Sequence, residues 1–545
     1  MEMSEVPLSM AAASANGIAH VTGGDPAKVL AVAENLQPEV ASSIFELVEA
    51  GRAYEALAYL DRQEGALQSP ELRRLRGDLV RALQVLEAHR RPAHGESTSL
   101  AALDCILDAQ SARRVPPPPT KRLTGVALMT GHLGAGGAEL QMARTAEMLA
   151  GAAGSQQKIA GVKLSRPFHV VVNSLTPNTN RPLNFFGPVL ARKNIPVWAL
   201  EDLPPAGLED SLISDETTRA LLPLLYPNIR KGLRLVSWFQ QQKIQVAYIW
   251  QDNAILHFAV AALLAGVPRL VLNFRGMPPV LRWKEHLPEF EKLYTALAAM
   301  PGVTFVCNSS KAASAYSDWI GCSRDAFHVI SNGSDLHSAH PTARELKTWS
   351  EFDARTRDAT ITIGGIFRMH PNKRPLEWVQ FARYYLNSHP KARFVLIGSG
   401  VFFETVRDLV RTLGLTRRLL LVQQTKAGTY WLKKMDVFLL LSRYEGTPNV
   451  LIEAQLAGVP VVCTPVANAT DTFVDGVTGL ATSVAIDVED IAAKVDQIAT
   501  HARLGDAVPH YARRHISARY SARSMIEHTV RVLSGQRDEW RISVG

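Results

Sequence analysis

Four ionisable side chains in the second half of the chain have spacings that suit one ligand. Glu445 and Glu453 stand in EGTPNVLIE, and Arg368 and Lys373 stand in RMHPNK. Two cations separated by a Pro-Asn turn can converge on one anionic group, the arginine as a bidentate fork and the lysine as a point charge. Two solvated surface cations are the ordinary alternative for that stretch. Thr447 is a candidate N-cap and Pro448 suits a first helical position, so a helix is expected from there to about Ala457. Glu445 then precedes the helix and Glu453 lies roughly 8 Å along it, so the carboxylates address different parts of one elongated ligand. Gly446, Thr447, Asn449 and Val450 lie at the helix start, where free N–H groups and the helix dipole favour an anion. A sugar nucleotide fits: sugar hydroxyls on Glu445, the diphosphate on the helix start with Arg368 and Lys373, and a ribose diol on Glu453. Taken singly, either glutamate is also an acid favoured near a helix start.

These residues need rigid elements behind them. From Val126 onward, short apolar runs alternate with helical stretches: VALMT, HVVVNSL, VAYIW, LVLNF and VTFVC, then ATITIGGIF, RFVLIGSG, LLLVQ, VFLLLS and PVVCTP. Continuous apolar strands separated by helices predict parallel sheets covered on both faces. The length predicts two doubly wound sheets, divided between Asn332 and Ile361 where the chain reads as polar and irregular. Arg368 and Lys373 then follow the first strand of the second sheet. After the first strand of the first sheet comes GHLGAGGAEL, in which Gly136 and Gly137 let the backbone approach a ligand at a helix start. It is not a clean GxGxxG, and a turn that only allows close packing is an equal reading.

Ahead of the sheets, Pro26 to Ala112 is helical in pattern, and Glu46–Gln84 reads as two amphipathic halves around QSP, similar to a tetratricopeptide-type hairpin. Such a unit must pack on a neighbour, either within this chain or in another subunit. RRVPPPPTKR then predicts a semi-rigid polyproline II spacer and a domain boundary. The 545 residues carry 59 Lys and Arg against 51 Asp and Glu, a formal charge of +8 that suits a nucleotide, an anionic membrane surface or nucleic acid and does not choose among them. An RNA motif of basic residues with interleaved aromatics is absent from the sequence, so no nucleic-acid partner is expected. ARRHISARYSAR is a candidate contact for an anionic membrane or an ordinary solvated helix. Four scattered cysteines without a CxxC pair fit a reducing compartment. With no apolar run of about 20 residues and no secretory leader pattern, a cytoplasmic protein is expected, at most peripheral on the inner face of the plasma membrane.

The second half resembles the retaining, metal-independent glycosyltransferases of family 4, which have the two-domain GT-B fold. VISNGSD is similar to the Asn-Gly-x-Asp hinge segment, which brings in Asn332; FRMHPNK is similar to the Arg-x4-Lys diphosphate clamp and EGTPNVLIE to the Glu-x7-Glu motif. The resemblance implies an α/β chain of two Rossmann-like domains facing across a cleft, with a helical extension at 1–115, a proline-rich linker at 116–122, an acceptor domain at 123–340, a nucleotide-sugar domain at 341–515 and a final segment 516–545 returning to the acceptor domain. It implies transfer of a sugar from a nucleotide-diphosphate sugar to a glycan or lipid-linked acceptor, with no cofactor and no metal. Arg368, Lys373 and Glu445 become catalytic candidates, and Gly136, Gly137, Asn332, Gly446, Thr447, Asn449, Val450 and Glu453 donor-binding ones. NATD stands where the family has Gly-Gly and Glu, with Asp471 at the acid's place, which leaves donor identity open. Where members often have a histidine at a strand end, IWQDNAILH offers Asp252 as an acceptor-side acid or base, or as a cap of the next helix. Arg275 in NFRGMPP is a second acceptor-side candidate. A 2-epimerase or hydrolase of the same fold, and a scaffold recruiting partners through the N-terminal helices, are the competing readings.

Overall fold

The computed structural model describes residues 38–63, 70–93, 95–177, 183–204, 212–282, 286–335, 340–502 and 507–536. The expected helical stretch before Pro38 and most of the QSP turn lie outside the described residues. The chain opens with helices α1 (Pro38–Glu49), α2 (Ala53–Arg62), α3 (Pro70–His89) and α4 (Thr98–Arg113). Strands β1 (Arg122–Leu123) and β2 (Val126–Thr130) lead into α5 (Gly137–Gly154). Then come β3 (Lys158–Ile159), β4 (Val162–Leu164), β5 (Phe168–Val172), β6 (Val197–Ala199) and β7 (Val246–Trp250), followed by α6 (Asp252–Leu264). After β8 (Arg269–Phe274), β9 (Val303–Cys307) and β10 (Phe327–Val329), α7 (Ala343–Arg355) starts the second half. That half holds β11 (Ile361–Ile366), β12 (Ala392–Ile397), β13 (Leu419–Val422), β14 (Val437–Leu440), α8 (Asn449–Leu456), β15 (Val461–Cys463) and β16 (Gly479–Ala481), and ends in α9 (Ala507–Arg519) and α10 (Ala522–Ser534).

Two large sheets result, one of seven strands ordered β10-β9-β8-β7-β2-β5-β6 and one of six ordered β13-β12-β11-β14-β15-β16; β1, β4 and β3 make a small third. Every pairing in the two large sheets is parallel. Their central strands are buried along their whole length, which is why they read as unbroken apolar runs. Alternate side chains serve opposite faces. Ala127, Met129, Ala247 and Ile249 pack in one core with Leu75 and Leu79 of α3 and Leu103 of α4. On the other face Val126, Leu128 and Tyr248 meet Met142 of α5 and Met525, Ile526 and Val530 of α10, so the last helix crosses back to the first sheet.

Two expectations need correction, and one of two alternatives left open is the one found. The proline run is no spacer, because it is strapped to the first sheet's domain: Arg114 donates to the carbonyls of Pro301 (2.9 Å) and Pro268 (2.9 Å), and Arg269 donates to Pro118 (3.1 Å). The N-terminal helices share a core with that domain and so find their neighbour within the chain. The stretch between the sheets contains α7, whose start is a capping box formed by Thr342 and Glu345; that Thr-x-x-Glu signal was present in the sequence.

Leu79 is fully buried in the layer shared by α3 and the sheet. Leu79→Ala is expected to destabilise the protein by roughly 2–5 kcal/mol in denaturant titration, and amide exchange is expected to quicken in β7 and β8. Quickening confined to α1–α4 would instead mark the helices as an independent unit.

Candidate functional site

The second sheet supplies the basic pair and the first glutamate from two loops zipped together by one amide. Asn372 donates to the Tyr444 carbonyl (3.0 Å) and accepts from the Tyr444 N–H (3.1 Å), while its own carbonyl accepts from Arg443 N–H (2.8 Å). This sets Lys373, at the end of a short 3₁₀ turn, in an ion pair with Glu445. Ser442 donates a further hydrogen bond to the same carboxylate oxygen (2.6 Å). Arg368 takes a separate course and donates to the carbonyl of Ala135, across the cleft in the loop before α5 (3.3 Å). The two cations therefore bracket the strand ends, one paired with a carboxylate and one reaching the opposite domain.

Helix α8 begins one residue later than the sequence suggests. Pro448 is its N-cap and Asn449 its first residue, and no side chain caps it. Thr447 is drawn away from capping because its hydroxyl donates to the Asn308 carbonyl on the first domain (3.0 Å). Asn449 donates to the Gly137 carbonyl (2.9 Å) and accepts from Asn332 (2.6 Å) and Gln141 (3.1 Å). Asn332, 2 % exposed, also donates to the Thr447 carbonyl (2.9 Å). Val450 is half-buried against the second core. Glu453 follows on the same helix; burial raises its pKa above the usual carboxylate value, and the nearby charge of Arg144 opposes the rise.

The first domain contributes the loop after β2. Gly136 and Gly137 let side chains of the other half come close: a Cβ on Gly136 would stand 2.8 Å from Arg368 Nη2, and one on Gly137 would stand 3.0 Å from Asn449 Nδ2. One turn inside α5, Glu139 is 3 % exposed, with His132 at 3.5 Å and Gln251 donating at 3.4 Å. Gln251 has a positive φ of 72° and also receives a bond from the Thr130 hydroxyl (3.0 Å). Glu139, Gln141, Arg144 and Gln251 were not singled out from the sequence, although Glu139 stands two positions after the glycine pair in GGAE. Beside this loop opens a cavity of about 680 Å³ whose lining includes His132, Asn173, Ser174, Asn253 and His257.

The two acceptor-side candidates fare differently. Asp252 is 5 % exposed and fully used: Arg282 pairs with one oxygen (2.5 Å), and Tyr294 and Tyr316 donate to the other at 2.9 and 2.7 Å. It is the first residue of α6, whose N-cap is Gln251, and both its oxygens are engaged by residues of the first domain. Arg275 does lie at the cleft, stacked 4.7 Å above the Trp250 ring and donating to Asn332. Burial brings its guanidinium down to about 10. Asp471 accepts from Asn468 (2.7 Å), and its carbonyl accepts from His515 (2.8 Å) and Tyr520 (3.3 Å) of α9 and the residue after it. Ala467, just ahead of NATD, is held at a positive φ of 45°. Among the described residues no group of three or more His, Cys, Asp or Glu could hold a metal ion, and no helix is long and apolar enough to cross a membrane.

Residues 352–515 match the family described as glycosyl transferases group 1. The chain is 38% identical over 399 residues to the Vi polysaccharide biosynthesis protein VipC/TviE of Salmonella typhi, covering 73% of this chain and 68% of that protein. It is 25% identical over 265 residues to the UDP-Gal:alpha-D-GlcNAc-diphosphoundecaprenol alpha-1,3-galactosyltransferase of Escherichia coli, covering 46% of this chain and 66% of that one. Among solved structures, Anabaena HepE in complex with UDP is similar with a TM-score of 0.55 at 17% identity, covering 75% of this chain and 99% of that chain. The two facing parallel sheets form the GT-B fold.

Gly446 is a close approach of the two halves: a Cβ there would stand 2.7 Å from Asn308 Nδ2 and 2.8 Å from the Arg275 carbonyl oxygen. Gly446→Ala is expected to cost roughly 1–3 kcal/mol as an overpacked contact, read as a lower urea midpoint. An unchanged midpoint would show that the halves are not in contact at this point in solution.

Proposed function

This chain belongs to the glycosyl transferases group 1 family and is a glycosyltransferase, and from that premise we propose that it transfers a sugar from a UDP-sugar to an acceptor hydroxyl of a surface polysaccharide, with retention of configuration and without a divalent metal. The observation that carries the reading is the convergence of Arg368, Lys373, the start of α8 and Glu453 on one cleft, closed on its other side by the Gly136–Gly137 loop. The solved complex of HepE with UDP and the named polysaccharide relatives support the donor class and the pathway class.

On this reading the diphosphate lies between Arg368, Lys373 and the free N–H groups of Asn449 and Val450. Lys373 is neutralised by Glu445 before the donor arrives. An entering diphosphate offers Lys373 a stronger anionic partner, which releases Glu445 to accept hydrogen bonds from sugar hydroxyls. Glu453 takes the ribose diol. The acceptor oxygen forms a bond to the anomeric carbon on the face from which the diphosphate leaves, the carbon–oxygen bond to the phosphate breaks, and the acceptor proton passes to the departing phosphate oxygen. Negative charge grows on that oxygen in the transition state, so cations fixed beside it lower the barrier more than they tighten substrate binding.

Thermal unfolding with a panel of UDP-, GDP- and ADP-sugars tests the reading. A UDP-sugar at a hundredfold excess over its Kd is expected to stabilise the protein by about 2.7 kcal/mol, with the shift lost in Glu453→Ala. Arg368→Ala is expected to lower kcat by about 10²–10³-fold with a smaller change in KM. No shift with any nucleotide sugar would remove the donor-site assignment and leave a scaffold.

A further inference from the structure

Arg144 lies on α5, about two turns beyond the glycine pair, and is 7 % exposed. Its Nη1 donates to the carbonyl of Gly333, while Nε and Nη2 are buried without a hydrogen-bond partner. Gly333 is already gripped from both sides by Gln141, which donates to its carbonyl (3.0 Å) and accepts from its N–H (3.1 Å). One N–H of the guanidinium therefore suffices for the hinge segment, and two of its nitrogens, which carry three N–H groups, are left over. A buried guanidinium with unmade bonds is costly and calls for an explanation. The carboxylates whose charges act on it are Glu453 of α8, then Asp335 of the hinge segment, then Glu147 of its own helix. Foremost among them is the one assigned to the ribose, and it comes from the other sheet.

We propose that Arg144 is a further donor-binding residue, supplied by the first domain, whose spare N–H groups donate to the ribose hydroxyl oxygens that bond Glu453. The assignment rests on the reading of the cleft as a nucleotide-sugar site. A carboxylate only accepts hydrogen bonds, so Glu453 can take the protons of a vicinal diol but leaves the lone pairs of both oxygens unmet. A planar guanidinium presents parallel donors at the spacing of two neighbouring oxygens, which an ammonium cannot do. Together the two residues match a ribose and mismatch a deoxyribose, where one donor and one acceptor of the buried site would be left unpaired. The positive charge also favours the ionised form of Glu453 against its burial. The residue does more than bind: with Nη1 on Gly333, a ribose held by the other edge of the same guanidinium links an occupied donor site to the segment that joins the two sheets.

Calorimetric titration with UDP and with 2′-deoxy-UDP, on the wild type, Arg144→Gln and Arg144→Lys, tests the assignment. The wild type is expected to prefer UDP by at least about tenfold. Arg144→Gln is expected to weaken UDP by a similar factor while leaving 2′-deoxy-UDP within about twofold, so that the preference collapses. Arg144→Lys keeps a cation for the Gly333 carbonyl and stands in if the glutamine variant does not fold; it too should lose the preference, because the fork is gone. Equal weakening of both nucleotides, or a preference that survives in the lysine variant, would make Arg144 a hinge support only and leave the donor site standing. A wild type that binds neither nucleotide would overturn the donor-site reading and this assignment with it.

Discussion

One buried amide, that of Asn332, ties the two halves together at the start of α8. Asn332 donates to the Thr447 carbonyl and to Asn449 Oδ1, and its own oxygen accepts from Arg275. These partners come from the start of α8 and from the end of β8, so one side chain reads both halves of the cleft. At 2 % exposure no water stands ready to replace a lost partner, and an unmade bond there would carry its full desolvation penalty. A low local dielectric strengthens the bonds that are made. The start of α8 consequently cannot drift from the first sheet without breaking several polar contacts at once.

The C-terminal segment fixes the same helix from behind. Ile452 and Leu456 of α8 pack against Ile516 and Tyr520 in a small separate core. Arg513 donates to the Leu456 carbonyl (3.2 Å), which satisfies an acceptor at the C-terminal end of α8 and places a cation at the negative end of its dipole. His515 and Tyr520 hold the carbonyl of Asp471, and the carbonyl of Tyr520 accepts from the Ser334 N–H (2.8 Å). Helix α8, the loop holding Asp471 and the segment at Ser334 therefore hang on one stretch of chain, which then continues as α10 into the core of the first sheet. A change in the angle between the sheets must pass through the Ser334–Tyr520 crossing, because both connections between the halves run there.

Much of this was legible in the sequence, and the failures have physical causes. The central strands announced themselves because both their faces are buried, so no alternation blurred the signal. β6, β10 and β16 are three-residue strands at or near sheet edges, too short to show a pattern. Polyproline composition predicts an extended backbone and says nothing about what it lies on; two arginines with carbonyls in reach turned a spacer into a strap. Within the site, charged residues at strand ends stood out, whereas Gln141, Gln251 and Asn372 did not. An amide has no charge to mark it, and its importance comes from partners 72 to 308 positions away in the chain. Asp252 shows the converse: an acid at a strand end stands out, while the two tyrosines and the arginine that engage it do not.

Charge balance explains why so polar a cleft can close without a ligand. Lys373 is matched by Glu445, and the charge of Glu453 is opposed by Arg144, so neither glutamate stands against the other uncompensated. With Arg275 set against the charge of buried Glu139, what remains positive is Arg368 together with the starts of α5 and α8, each equivalent to roughly half an elementary charge. Part of that excess is already quieted by the Ala135 carbonyl that Arg368 meets across the cleft. A diphosphate would arrive at a site whose surplus is close to its own charge, and whose donors are fixed by backbone and buried amides instead of being gathered on binding. The reorganisation that solvent would otherwise require has been completed in folding, which is the condition under which fixed dipoles stabilise developing charge most effectively. On the proposed reading, the Lys373–Glu445 pair has to exchange partners when a diphosphate enters. Its 20% and 12% side-chain exposure leaves it open enough to do so, while Asn332 and its neighbours remain locked.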